Sequence, residues 1–329
     1  MISIWLSLFL TQALAKNIQF QKSWTLPSTF KVESLKVGGL SGCTLKNDSI
    51  YFISDDRGGE GGARIISFKW DSLKNELDLN SGKNLKIKNT TSKKILDLEG
   101  IGLNSQNEFL LSNEGDLNKK PRQGPELFWV NQVGQRLRDI QLPSEFLPNL
   151  SGQQTKGIQN NLGFEGLNVD IELQRWGAFL EGPLLTAENQ ADDHLMMIES
   201  DLQSLKVARQ YTYPLPQYEG SGFSVTMGLT DFLYESADQM LILERGASLS
   251  MQGLLFNAQL CFGQKNKSEI NRKCPYVFNN DQTLLKAITK IPNLEGLCWL
   301  NEKKTQFLVV SDNNFSKTEN TVFLLYNLN

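Results

Sequence analysis

Short apolar or alternating runs, each bounded by Gly, Asn, Asp or Ser, recur along the whole chain, at residues 50–53, 64–68, 108–111, 126–130, 239–243, 306–310 and 321–326. A period of two with turn-forming borders is the pattern of strands joined by tight turns. Long helical periodicity is hard to find, so the chain is predicted to be all-β.

The runs follow a repeated two-part signature. Its first part is Leu40-Ser41-Gly42-Cys43, Leu98-Glu99-Gly100-Ile101, Phe164-Glu165-Gly166-Leu167, Leu229-Thr230-Asp231-Phe232 and Leu294-Glu295-Gly296-Leu297, at a period of 58 to 66 residues. Its second part is a hydrophobic strand that ends in an acidic or polar cluster: Ser54-Asp55-Asp56-Arg57, Ser112-Asn113-Glu114, Thr186-Ala187-Glu188-Asn189, Leu243-Glu244-Arg245-Gly246 and Ser311-Asp312-Asn313-Asn314. Five copies at this period predict a β-propeller of four-stranded blades, because a lone blade cannot bury both faces but a closed ring can. Five blades are counted, and the longer second to fourth units, with the polar segment 149–163, leave room for a sixth. Only two strands follow the last signature, while strand-like pieces at 18–26 and 30–37 precede the first. The ring is therefore expected to close with strands from both termini. A pair of β-sandwiches is the alternative, but it gives no reason for all copies to keep one order of elements.

Residues 1–15 carry no charged side chain and run from an apolar stretch into Thr11-Gln12-Ala13-Leu14-Ala15, as in a short signal peptide; residues 16–329 are then one mature domain. No apolar segment reaches the ~20 residues of a membrane span. The expected location is secreted or periplasmic. With 33 Lys plus Arg against 36 Asp plus Glu and a net charge of −3, no overall positive field exists to hold nucleic acid. A single histidine, His194, excludes any histidine-rich zinc site; in its acidic loop it reads as a surface residue. Of the four cysteines, Cys261 and Cys274 flank a polar loop that a disulfide could close. Cys43 and Cys298 occupy matching repeat positions that could lie close in space, although each reads as an ordinary buried thiol. The lysine-rich runs 83–94 and 265–273 read as solvated loops.

Glycine after each signature Glu allows neighbouring backbones to approach at a narrow axis. Glu99, Glu165 and Glu295 are therefore expected to converge from three blades, with Asp56, Glu114, Glu188, Glu244 and Asp312 at the ends of the next strands. Two carboxylates ~5 Å apart repel by about 3 kcal/mol at an effective dielectric of 20, so such a cluster takes up protons, pairs with Arg or Lys, or binds a cation. Oxygen-only ligands suit Ca2+. Arg57 and Arg245 are candidates for gripping a phosphate or carboxylate, or for ion pairs with their neighbours Asp56 and Glu244. Ser41 and Thr230 replace Glu in two copies, so a carboxylate ring at that position is incomplete.

In order along nearly the whole mature chain, five blocks resemble the phytase-like family, described by an esterase-like activity of phytase. They are Gly38-Gly39-Leu40-Ser41-Gly42 with Phe52-Ile53-Ser54-Asp55-Asp56-Arg57; Leu98-Glu99-Gly100-Ile101 with Leu111-Ser112-Asn113-Glu114; Gly163-Phe164-Glu165-Gly166-Leu167; Leu241-Ile242-Leu243-Glu244-Arg245; and Asn293-Leu294-Glu295-Gly296-Leu297 with Val310-Ser311-Asp312-Asn313-Asn314-Phe315. The resemblance implies a secreted or periplasmic propeller with phosphoesterase or esterase activity on a small molecule, supported by calcium. The alternative is a non-catalytic propeller that binds a ligand or a protein, its repeated carboxylates serving structure.

Overall fold

A computed structural model describes residues 16–88, 95–186, 190–220, 226–250 and 253–329. The signal-peptide reading of residues 1–15 and the candidate Glu188 lie outside the described residues.

The strands are β1 (Ile18–Leu26), a small hairpin of β2 (Lys31–Val32) and β3 (Leu35–Lys36), then four antiparallel meanders. These are β4 (Leu40–Lys46), β5 (Ser49–Ser54), β6 (Arg64–Asp71) and β7 (Glu76–Lys86); β8 (Leu98–Leu103), β9 (Phe109–Asn113), β10 (Glu126–Val130) and β11 (Arg136–Ile140); β12 (Phe164–Asp170), β13 (Arg175–Leu180), β14 (His194–Asp201) and β15 (Arg209–Pro214); and β16 (Thr226–Tyr234), β17 (Gln239–Ser250), β18 (Gly253–Asn266) and β19 (Glu269–Val277). After a short helix α1 (Gln282–Ile288) come β20 (Asn293–Trp299), β21 (Gln306–Asp312) and β22 (Thr321–Leu328), and β1 adds to the edge of β22. Several hairpin turns place a residue at positive φ, such as Asn47 (54°), Asn75 (52°) and Asn107 (62°), where Asn is among the most tolerant of side-chain-bearing residues.

The result is a propeller of five four-stranded blades, with no sixth among the described residues. The third and fourth blades join through one parallel pair of their outer strands, Thr212 with Glu269. The innermost strands β4, β8, β12, β16 and β20 each pack on the next, and β20 returns to β4, so the ring is closed. Five hydrophobic clusters fill the five seams. Phe52, Phe68, Val310 and Phe323 pack between the fifth and first blades, and Leu110, Trp129, Phe164 and Trp176 between the second and third.

Closure differs in one detail from the sequence expectation. The terminal blade takes one strand from the N-terminus and three from the C-terminus, because the signature segment Asn293–Trp299 is itself its innermost strand. The piece at 30–37 is left over and folds as the β2–β3 hairpin. Cys43 and Cys298 are disulfide-bonded, with Cα atoms 5.4 Å apart, and covalently join the innermost strands of the first and last blades. They are not free thiols, since ring closure brings residues 255 apart in sequence face to face. Cys261 and Cys274 form the second disulfide. The run 265–273 is no solvated loop: it turns from β18 into β19, and Lys265 is buried against Glu199. Among the described residues no helix is long and apolar enough to cross a membrane.

Candidate functional site

The signature encodes a β-bulge. In each blade the pairing of the first two strands slips at the signature: between Leu40 and Gly42, Leu98 and Ile101, Phe164 and Gly166, Leu229 and Asp231, and Leu294 and Gly296. A bulge leaves one residue unpaired and re-aims its side chain. In four blades the single unpaired residue is Ser41, Glu165, Thr230 or Glu295; in the second blade Glu99 and Gly100 are both skipped. Ser41 and Thr230 use their hydroxyls to donate to the next blade, to Leu98 O at 3.2 Å and Leu294 O at 3.5 Å. The glutamates make no such bond.

The following glycine is sterically required. A Cβ on Gly100 would lie 2.4 Å from Leu167 Cβ and 2.7 Å from the carbonyl oxygen of Glu165, and one on Gly296 would lie 2.9 Å from Gly42 Cα. In the fourth blade Asp231 stands at this place and bridges instead, its Oδ2 accepting from Leu297 N at 2.7 Å and its Oδ1 from Phe232 N at 2.8 Å.

A second ring follows from register. The residues opposite the first signature position are Ser54, Asn113, Leu180, Glu244 and Ser311, and the next residue along the chain is Asp55, Glu114, Glu181, Arg245 and Asp312. Asp55, Glu114 and Glu181 lie just past their strands, but their N–H groups donate to Gly39 O, Asp97 O and Gly163 O at 2.8, 2.9 and 2.8 Å, so the pairing carries on one step and alternation gives the five one orientation, toward the axis at one mouth of the channel. Together with Asp97, which precedes β8, the two rings gather Asp55, Asp97, Glu99, Glu114, Glu165, Glu181, Glu295 and Asp312 around Arg57 and Arg245.

Alternation also decides which predicted residues are absent. Asp56 lies one residue beyond the ring and points away: its carboxylate accepts from Gly58 N, Glu60 N and Gly62 N and pairs with the buried Arg64. These bonds outweigh burial and hold its pKa below the usual range. Glu244 lies one residue short and faces the blade interior, where Tyr213 OH, Gln259 Nε2 and Arg272 Nη1 donate to it at 2.6, 2.6 and 2.9 Å. The two arginines do not pair with their sequence neighbours. Arg57 Nε donates to Asp97 Oδ1 at 2.6 Å and its Nη2 to Asn161 Oδ1 at 3.1 Å. Arg245 Nη2 donates to Glu295 Oε1 at 2.8 Å, with Nη1 3.6 Å from Glu181 Oε1.

Glu99, Glu165 and Glu295 do converge, with Glu114 and Asp312. Asp55, Asp97 and Glu181 are additions that composition and motif reading missed. Glu181 had a usable signal: it follows Glu165 by 16 residues, as Glu114 follows Glu99 by 15, whereas Glu188 follows by 23. His194 stands apart, its Nδ1 2.7 Å from Asp193 Oδ1, lining a different cavity between β15 and β19.

Two triads, Asp97–Glu99–Glu114 and Glu114–Glu165–Glu181, each have a carboxylate oxygen within 4.8 Å of the others', and Glu114 belongs to both. Glu165 is 8% exposed and has no hydrogen-bond or salt-bridge partner among the described residues. Asp55 Oδ1 is buried and unpartnered. Burial, reinforced by neighbouring carboxylates, pushes Glu99, Glu165 and Asp312 well above the carboxylate range, Asp55 to about 6, Glu295 to about 7 and Glu114 to about 8. Such a set is stabilised by taking up protons, by its pairs with Arg57 and Arg245, or by holding a cation.

The family model described as Phytase-like, esterase-like activity of phytase, matches residues 35–315. The chain belongs to the Phytase-like family. No curated protein sequence matches it. In structure, this Phytase-like chain is similar to the GH43B protein of the Bacteroides ovatus xyloglucan locus, with a TM-score of 0.52 at 10% identity over 92% of this chain and 54% of that one. It thus spans about half the length of that protein. A likeness to the catalytic domain of Coprinopsis cinerea GH62 α-L-arabinofuranosidase has a TM-score of 0.47 at 10% identity, over 92% and 98% of the two chains. At these identities the likeness concerns the fold alone.

Proposed function

We propose that this Phytase-like propeller is an exported, Ca2+-assisted hydrolase of small phosphate or carboxylic esters. The observation that carries the reading is the convergence, among the described residues, of eight buried or half-buried carboxylates on two arginines, with Glu165 left without a partner there. The donor set fits the ion: all ligands are oxygen, more than one carboxylate is available, and the two triads would hold it through Asp97, Glu99, Glu114, Glu165 and Glu181. When bound, Ca2+ would polarise a phosphoryl or carbonyl oxygen and lower the pKa of a coordinated water. Arg57, half exposed at the mouth, and Arg245 offer forked donors to the anionic part of the substrate. In the reaction water adds to phosphorus or to the acyl carbon, the bond to the leaving oxygen breaks, and the alcohol departs with a proton. The two disulfides suit an oxidising compartment, in keeping with export.

The test is a calcium titration of chelator-treated protein on p-nitrophenyl phosphate and p-nitrophenyl acetate, with Tm recorded in parallel. Turnover restored by Ca2+ and reduced in Glu165→Gln supports the reading. A Tm raised by Ca2+ without turnover on either ester would instead make this a binding propeller. That second reading is favoured by Ser41 and Thr230, whose hydroxyls staple adjacent blades from the very position that Glu occupies elsewhere.

A further inference from the structure

A second feature meets the acidic site at Asp312. A cavity of about 290 Å³ lies between α1, β18 and the start of β22, and Asp312 forms part of its lining. One wall is apolar, from Phe256, Ile288, Pro292 and Val322; the rest is mainly polar, with Thr318, Glu319 and Asn320 opposite, and Lys290 stands at the exposed edge. Lys290 Nζ lies 3.7 Å from Glu319, so the edge carries no uncompensated positive charge. Asp312 belongs to both features: it ends β21 in the ring of site carboxylates, and it borders a chamber that the other ring residues do not line.

The two halves differ in chemistry. The ring offers charge and cation ligands, while the cavity offers one apolar wall and, among the described residues, Lys290 as its single lining cation. A cavity near 150 Å³ already admits benzene, so ~290 Å³ has room for one or two fused rings or a short alkyl chain. An inositol carrying many phosphates would not find there the basic residues that several dianions need.

We propose that this cavity receives the apolar alcohol portion of the substrate, so that the site takes monoesters bearing an aryl ring or short alkyl chain rather than polyphosphorylated polyols. The proposal rests on the hydrolase reading only for turnover; binding tests it separately. Ala287 is an exposed helix residue lining the cavity, so Ala287→Trp fills it without disturbing the core. Phe256→Ala, which removes a wall, provides a second variant.

The experiment measures binding of 1-naphthyl phosphate by fluorescence to the full chain with Ca2+, and kcat/KM for 1-naphthyl phosphate and glycerol 2-phosphate. We expect both variants to weaken 1-naphthyl phosphate binding at least tenfold, and Ala287→Trp to lower its kcat/KM similarly while leaving glycerol 2-phosphate unchanged. Unchanged binding of 1-naphthyl phosphate in both variants, or preference of the parent chain for inositol hexakisphosphate over 1-naphthyl phosphate, overturns the proposal. Loss of binding in the variants with no turnover by the parent overturns the hydrolase reading and leaves the cavity assignment standing.

Discussion

Arg245 Nη2 and Glu295 Oε1 lie 2.8 Å apart across the seam between the fourth and fifth blades. Arg245 occupies the one place in its ring where a cation replaces a carboxylate, and the same guanidinium approaches Glu181. Replacing Arg245 by Met leaves two buried carboxylates without their counter-charge. Breaking a buried pair from one side costs about 3–5 kcal/mol. Urea unfolding of Arg245→Met without metal should show a loss of that order, with part recovered in excess Ca2+; a midpoint equal to the parent's would contradict the role assigned to the pair.

The raised carboxyl pKa values give metal-free protein a particular pH dependence. A carboxyl whose folded pKa exceeds its unfolded value binds more protons in the native state, so its contribution is fully present below the unfolded pKa near 4 and is lost as pH rises through the folded one. For Asp55, Glu295 and Glu114 those folded values are about 6, 7 and 8. Stability of chelated protein should therefore fall between pH 5 and 8, and Ca2+ should flatten the slope. Thermal melts across that range, with and without Ca2+, check this; rising stability of the chelated protein toward pH 8 is the adverse result.

Adjacent aspartates should behave oppositely. Asp56 is tied to Arg64 and three loop amides, so Asp56→Asn breaks a buried pair and should cost about 3–5 kcal/mol. Its effect on calcium affinity should be small. Asp55 has a buried oxygen without a partner, so Asp55→Asn should preserve or raise metal-free stability while weakening Ca2+ binding. Isothermal titration alongside chemical denaturation separates the two, and equal effects at both positions would undo the alternation argument.

The Cys43–Cys298 bond closes a loop 255 residues long in sequence separation. Chain entropy alone puts a ceiling of ~5 kcal/mol on such a crosslink, and because β1 on β22 already ties the termini together, we expect Cys43→Ser with Cys298→Ser to cost ~2–4 kcal/mol. Differential denaturation of the double variant reads this directly. A change below 1 kcal/mol would mean that strand pairing alone fixes the ring.

The repeat period, the turn residues and the Glu-Gly step were enough to read a five-bladed propeller and the meeting of Glu99, Glu165 and Glu295, because a closed ring forces equivalent positions of each copy toward one axis. Side-chain direction was harder. Asp55 and Asp56, or Glu244 and Arg245, look interchangeable in a motif, yet period-two alternation sends one to the channel and the other to the blade. Glu181 was hidden because the acidic cluster at 186–189 looked more like the other copies than Leu180-Glu181 did; its spacing was the better guide.

The sequence by itself determined the repeated unit, since hydrophobic alternation and bulge-glycine chemistry are local properties that survive without neighbours. Only the tertiary structure decided which charges pair. Arg57 with Asp97 and Arg245 with Glu295 are contacts between consecutive blades, Cys43 with Cys298 is made by ring closure, and strand register, a property of two chains of residues rather than one, chooses between adjacent side chains.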